Sequence, residues 1–132
     1  MMNRGCFLWG IGCLLLVVVV LLAWPVGLIL QREYTIRAYM SPYYRLVRQH
    51  ATKAQIISKE GPPAEIIKTD SELAVVAKRF PPFKPWLMQA VPMHVEGKVL
   101  GYYADPFHDG EGGFVYLFID KKGVLTAAVL GG

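Results

Sequence analysis

From Cys6 to Leu30 the chain carries 25 consecutive residues without a charge, and from Leu14 to Leu22 no polar residue interrupts the run at any helical angle. A hydrocarbon core of about 30 Å needs about 20 such residues, and at 1.5 Å per residue a helix over this run reaches roughly 37 Å. A soluble core helix of that length would need a polar stripe for water. Residues 6–30 therefore read as a transmembrane helix in contact with the lipid bilayer, behind a tail at 1–5.

Beyond the run the pattern becomes mixed. Residues 31–40 read as a short juxtamembrane connector, where Tyr34, Tyr39, Tyr43 and Tyr44 with Arg32 and Arg37 suit a headgroup-level belt or the packing of the first helix. Ser41-Pro42 has the form of a helix start, with Ser as cap and Pro in the first turn. Apolar positions Tyr43, Leu46, Val47 and Ala51 then recur near a helical period, as one helix or as a broken pair with a joint near residues 51–53, and Gly61-Pro62-Pro63 ends the helical stretch.

After this corner the pattern turns strand-like. Residues 73–78 form a short apolar run, and 88–96 and 99–104 pair around Glu96-Gly97-Lys98. The clearest hairpin joins 114–120 to 124–130 through Asp120-Lys121-Lys122-Gly123. One or two helices followed by hairpins predict an α+β domain over 41–132, with helices packed on an antiparallel sheet of about four to five strands.

Charge and small motifs narrow the function. A cleaved secretory signal fits poorly: the run exceeds an apolar region of about 7–15 residues and no small-x-small site precedes Gln31. A lipoprotein reading of Gly12-Cys13 leaves most of the run after the cysteine, so the segment reads as an uncleaved signal-anchor. Both cysteines, Cys6 and Cys13, belong to this segment, so the domain has no disulfide of its own. Arg4 marks one flank and Arg32, Arg37, Arg45 and Arg48 the other. Long domains cross largely regardless of such counts, and a single-pass protein of the cytoplasmic (inner) membrane with an extracytoplasmic domain is the expectation. After the anchor the chain holds 13 Lys+Arg against 10 Asp+Glu, too mild and dispersed an excess for a nucleic-acid partner.

Catalytic chemistry has little to start from. Ser41, Ser58 and Ser71 are the only serines, and none sits in a Gly-x-Ser-x-Gly elbow. His50 and His94 are isolated, and no glycine-rich phosphate loop precedes a helix. The chain is expected not to be an enzyme and to need no cofactor. The densest polar cluster is Asp105, His108, Asp109 and Glu111 in the loop 105–113. Counted from Asp105, an EF-hand would need a carboxylate ligand where Phe107 stands and a Glu where Tyr116 stands. A solvated turn is the plainer reading of this loop, and a ligand- or metal-binding module is the alternative function. The stretch Phe80-Pro81-Pro82-Phe83-Lys84-Pro85-Trp86 combines rigid prolines with aromatic area. Phe80, Phe83 and Trp86, with Tyr39 and Tyr43, are the candidate partner-binding residues, unless the aromatics serve the domain's own core.

Three fragments carry a resemblance: Lys59-Glu60-Gly61-Pro62-Pro63, Gly101-Tyr102-Tyr103, and Val115-Tyr116-Leu117-Phe118-Ile119-Asp120-Lys121-Lys122-Gly123-Val124. In this order they resemble the SmpA/OmlA family, small α+β modules of outer-membrane assembly. The chain departs from that family in a longer stretch between Pro63 and Gly101 and in a spanning helix where the family has a lipidated cysteine. The order of anchor, helix, Gly-Pro corner and sheet is also similar to single-pass subunits that assist cytochrome oxidase assembly and mitochondrial presequence import. Both resemblances imply a non-catalytic accessory subunit that binds proteins of a larger membrane complex.

Overall fold

The structure, a computed structural model, describes residues 4–80, 92–110 and 112–131. Helix α1 (Arg4–Arg48) is followed by α2 (Lys53–Glu60), β1 (Glu65–Ile67), α3 (Asp70–Ala77), β2 (Lys98–Ala104), β3 (Gly113–Ile119) and β4 (Leu125–Gly131). Two compact units divide the chain, Met1–Arg37 and Ala38–Gly132.

The first unit is the apolar part of α1. Its large apolar residues between Phe7 and Leu30 are all solvent-exposed, and the helix is long and apolar enough to cross a membrane. None of the unit's described residues covers that surface.

In the second unit, β1, β2, β3 and β4 form one sheet in that order, every neighbouring pair antiparallel. This is the expected α+β class with four strands. The β3–β4 hairpin differs from the sequence expectation by one residue at each strand end. Its turn closes as the residue types require: Gly123 takes φ 81° and donates to the Asp120 carbonyl at 3.0 Å, while Asp120 Oδ1 accepts from the Lys122 and Val124 amides at 2.9 and 3.0 Å. Leu125 resumes the pairing after a register shift between Phe118 and Ile119.

Side-chain alternation along β3 puts Tyr116 and Phe118 on one face and Val115, Leu117 and Ile119 on the other, and all five are buried. The first face packs Ile67, Val99, Tyr116, Phe118, Ala127 and Val129 with Leu73 and Val76 of α3. Outside that cluster the buried helical residues are Met40, Tyr43 and Leu46 of α1 and Ile56 of α2. On this side the Tyr102 hydroxyl donates to the Gly61 carbonyl at 3.0 Å, and the Leu125 amide donates to the Ala51 carbonyl at 2.8 Å. Each fully buried aliphatic or aromatic side chain contributes about 1.5–3 kcal/mol by leaving water.

Three local expectations are corrected. Ser41-Pro42 is not a helix start: α1 runs through it, and the connector expected at 31–40 is helical. Met40 and Tyr43, on either side, are both buried, and that packing outweighs the amide Pro42 lacks. The second correction is α3, which stands where 73–78 reads as a strand. Thr69 caps it, accepting from the Glu72 amide at 3.3 Å, and Leu73 and Val76 share its buried face while Val75 is exposed. The third concerns β2, whose outer partner is β1 and not a strand at 88–96. Residues 92–96 are not strand, and the rest of that expected strand lies outside the described residues.

The joint near 51–53 is present. His50 takes φ 52°, the Ala51 amide donates to the Leu46 carbonyl and the His50 amide to that of Val47, the bond pair that closes a helix in a Schellman motif. Thr52 then opens α2 with a capping box: its side chain accepts from the Gln55 amide and its own amide donates to Gln55 Oε1. Gly61, at φ 82°, ends α2.

Candidate functional site

The sequence-derived partner-binding residues fall in two places. Tyr39 and Tyr43 lie one turn apart on α1, with ring centroids 6.3 Å apart and tilted by 41°. Tyr43 is buried and Tyr39 half-buried. Burial pushes the Tyr43 phenol up to about 12, with further contributions from the Glu60 carboxylate and from Tyr39 and Tyr102. Tyr102 is raised by the same two causes, burial first and Glu60 second. The end of α2, the last turns of α1 and the middle of β2 thus meet in a group of three tyrosines and one glutamate. Tyr102 and Glu60 are additions that the sequence does not single out, because β2's register is needed to bring them to Tyr43.

Phe80 lies on the opposite face of the sheet. Its ring stands edge-on to Tyr116 at 5.5 Å and to Phe118 at 6.4 Å, and Phe114 continues the row at 6.0 Å from Tyr116. Phe80 is half-buried against the core, so the first aromatic of the proline-rich stretch serves the domain's own packing. Phe83 and Trp86 lie outside the described residues. Tyr103, 61% exposed, meets Phe114 at a right angle and 6.4 Å. This open aromatic at the loop end of β2 was not among the sequence-derived candidates.

Under this aromatic row the Tyr116 side chain is fully buried, and its hydroxyl has no hydrogen-bond partner among the described residues. Burial raises the phenol, Glu65 adds to that, and Arg79 opposes it.

The loop after β2 is organised by Asp105. Its Oδ1 accepts from the Asp109 amide at 3.3 Å and its Oδ2 from the Gly110 amide at 3.2 Å, with His108 and Gly110 both at positive φ. Both oxygens of the carboxylate therefore hold the turn. Glu111 lies outside the described residues. Among the described residues no three His, Cys, Asp or Glu side chains converge as metal ligands would. His94 pairs with Asp70 at 3.3 Å in solvent, and Asp70 Oδ1 accepts from the Val95 amide at 2.7 Å. That amide first, and His94 second, hold the Asp70 carboxyl below its ordinary range.

No protein family, curated protein or solved structure matches the chain.

Proposed function

We propose that the protein is a membrane-anchored, non-catalytic accessory or assembly subunit that binds proteins of a larger membrane complex. The observation that carries this reading is the surface of α1 between Phe7 and Leu30, where every large apolar side chain is exposed. Soluble monomers rarely leave apolar patches beyond a few hundred Å² in water, and a bilayer is the solvent that accepts a surface apolar all round. An extracytoplasmic domain in the cytoplasmic membrane is the placement adopted, since long domains cross largely regardless of flanking arginines such as Arg32 and Arg37.

A helix that only anchors does not need a domain with a core on both faces of its sheet. The domain's outward features among the described residues are of the kind that proteins bind, Tyr103 beside Phe114 and the half-buried Tyr39, and the sequence adds the aromatic residues Phe83 and Trp86 among prolines. The likeness to SmpA/OmlA modules and to oxidase-assembly and presequence-import subunits points to the same kind of role. The test is affinity isolation of the intact chain in mild detergent with mass spectrometry, beside a chain whose residues 38–132 are replaced by an unrelated soluble domain. A set of integral membrane proteins held by the intact chain and lost on replacement supports the reading. The same set on both chains, or none on either, contradicts it.

A further inference from the structure

Three lysines far apart in sequence line one small depression. Lys53 opens α2, Lys98 opens β2 and Lys121 belongs to the β3–β4 turn, and the depression they share with Gly97, Ile119, Asp120 and Gly123 measures about 220 Å³. The backbone fixes this meeting. The Lys53 amide donates to the Gly123 carbonyl at 2.8 Å, Thr52 bridges to Val124, and the Gly97 amide donates to the Ile119 carbonyl at 3.1 Å. Position 97 admits no side chain: a Cβ there would run into the Asp120 carbonyl oxygen. The close approach that glycine permits brings the start of β2 against the hairpin turn.

The charges in the depression do not balance. Lys53 and Lys98 line the depression together, and Lys53, first by contact and then by its charge, lowers the Lys98 ammonium from its ordinary value. Among the described residues no carboxylate forms an ion pair with any of the three lysines. Asp120 is the one acidic residue of the lining, and its Oδ1 is taken by the Lys122 and Val124 amides. Neighbouring ammonium groups repel unless an anion lies between them, and the positive end of α2 adds to the same field. Three cations against one carboxylate leave two positive charges uncompensated. The depression is smaller than the roughly 300–1,000 Å³ pockets that take drug-sized ligands.

We infer that Lys53, Lys98 and Lys121 form a binding site for a phosphate dianion, either free phosphate or the terminal phosphate of an anionic lipid headgroup. The phosphate oxygens accept from the Lys53 and Lys98 ammonium groups together, and Lys121 closes the open side. A carboxylate offers one charge to this site; a phosphate monoester offers the two it lacks.

The test reads Lys98 directly. The intact chain in neutral detergent is treated with an amine-acylating reagent, and modification of Lys98 is followed by mass spectrometry with inorganic phosphate or with sodium chloride at equal ionic strength. A parallel arm uses the intact chain in phosphatidylcholine vesicles with and without phosphatidic acid. Phosphate slows Lys98 acylation about tenfold beyond chloride, the scale of one charge-assisted hydrogen bond, and this assigns the site to free phosphate. Slowing by phosphatidic acid alone assigns it to a lipid headgroup. Lys53→Gln abolishes the protection while Lys53→Arg, which keeps the charge and the length, retains it. Equal rates in phosphate and chloride together with equal rates in both vesicles overturn the inference, and so does protection undiminished in Lys53→Gln.

Discussion

Tyr116 stands directly opposite Gly101 across the β2–β3 pair, and a Cβ at position 101 would lie 3.3 Å from the ring's Cε1 and 3.2 Å from the Glu65 Cβ. On the other neighbouring strand, a Cβ at Gly131 would lie 2.9 Å from Cε2. The ring thus occupies space that two glycines leave open, and it anchors the aromatic row that receives Phe80. Gly101→Val places a branched side chain where no room exists on a central strand. It is expected to lower stability by about 1–3 kcal/mol, read from denaturant unfolding of the intact chain in neutral detergent. An unchanged midpoint would mean that the ring is free to move aside.

The hydroxyl of the same residue yields an opposite expectation. The Tyr116 hydroxyl is buried with no hydrogen-bond partner among the described residues, so it loses hydration for little return, and Tyr116→Phe is expected to leave stability unchanged or raise it by up to about 1 kcal/mol. The measurement is the same unfolding curve. A loss of more than about 1 kcal/mol would show that the hydroxyl has a bonding partner in solution.

Tyr43 predicts a pH dependence. Its phenol is held up to about 12 in the folded chain against an ordinary value of 10.0. The folded state keeps this proton more tightly than the unfolded state, so the associated stability is complete below pH 10 and declines as pH rises from 10 toward 12. At about 1.4 kcal/mol per pH unit, and allowing for solvent screening, wild type loses about 1–2 kcal/mol relative to Tyr43→Phe across that window. Parallel unfolding series of the two proteins, with phenolate absorbance to follow the titration, provide the comparison. Equal slopes would mean that Tyr43 is as open to water as a free phenol.

The sequence resolves best the features governed by local rules. The 25-residue uncharged run needs only its length, and the β3–β4 hairpin needs only Asp120, Gly123 and the apolar runs beside them. The break between α1 and α2 is one of the two readings the sequence allows at 51–53, and the Schellman closure at His50 and the Thr52 capping box decide it. The misread elements are those decided by tertiary contacts. Residues 73–77 are too short for periodicity to tell strand from helix, and the deciding signal was Thr69 three residues before Glu72, a capping pattern that the apolar run overshadowed. Pro42 has the local form of a boundary, yet burial of Met40 and Tyr43 carries the helix through it. The three-residue strand β1 exists only because β2 offers it an edge. The lysine depression was illegible for a related reason: Lys53, Lys98 and Lys121 belong to three elements, and only the register of the sheet brings them together.

The anchor reading predicts a partitioning behaviour. If residues 6–30 cross a bilayer, alkaline carbonate leaves the intact chain in the membrane pellet, whereas a chain starting near Gln31 is recovered in the soluble fraction. Immunoblotting of the two fractions is sufficient. Release of the intact chain by carbonate would remove the anchor.

The accessory-subunit reading is tested most directly by native electrophoresis of the intact chain after solubilisation in mild detergents. The chain is predicted to migrate with a larger heteromeric complex, and Trp86→Ala to weaken that association while circular dichroism shows the domain still folded. Migration as a lone monomer in every mild detergent tried would contradict the account.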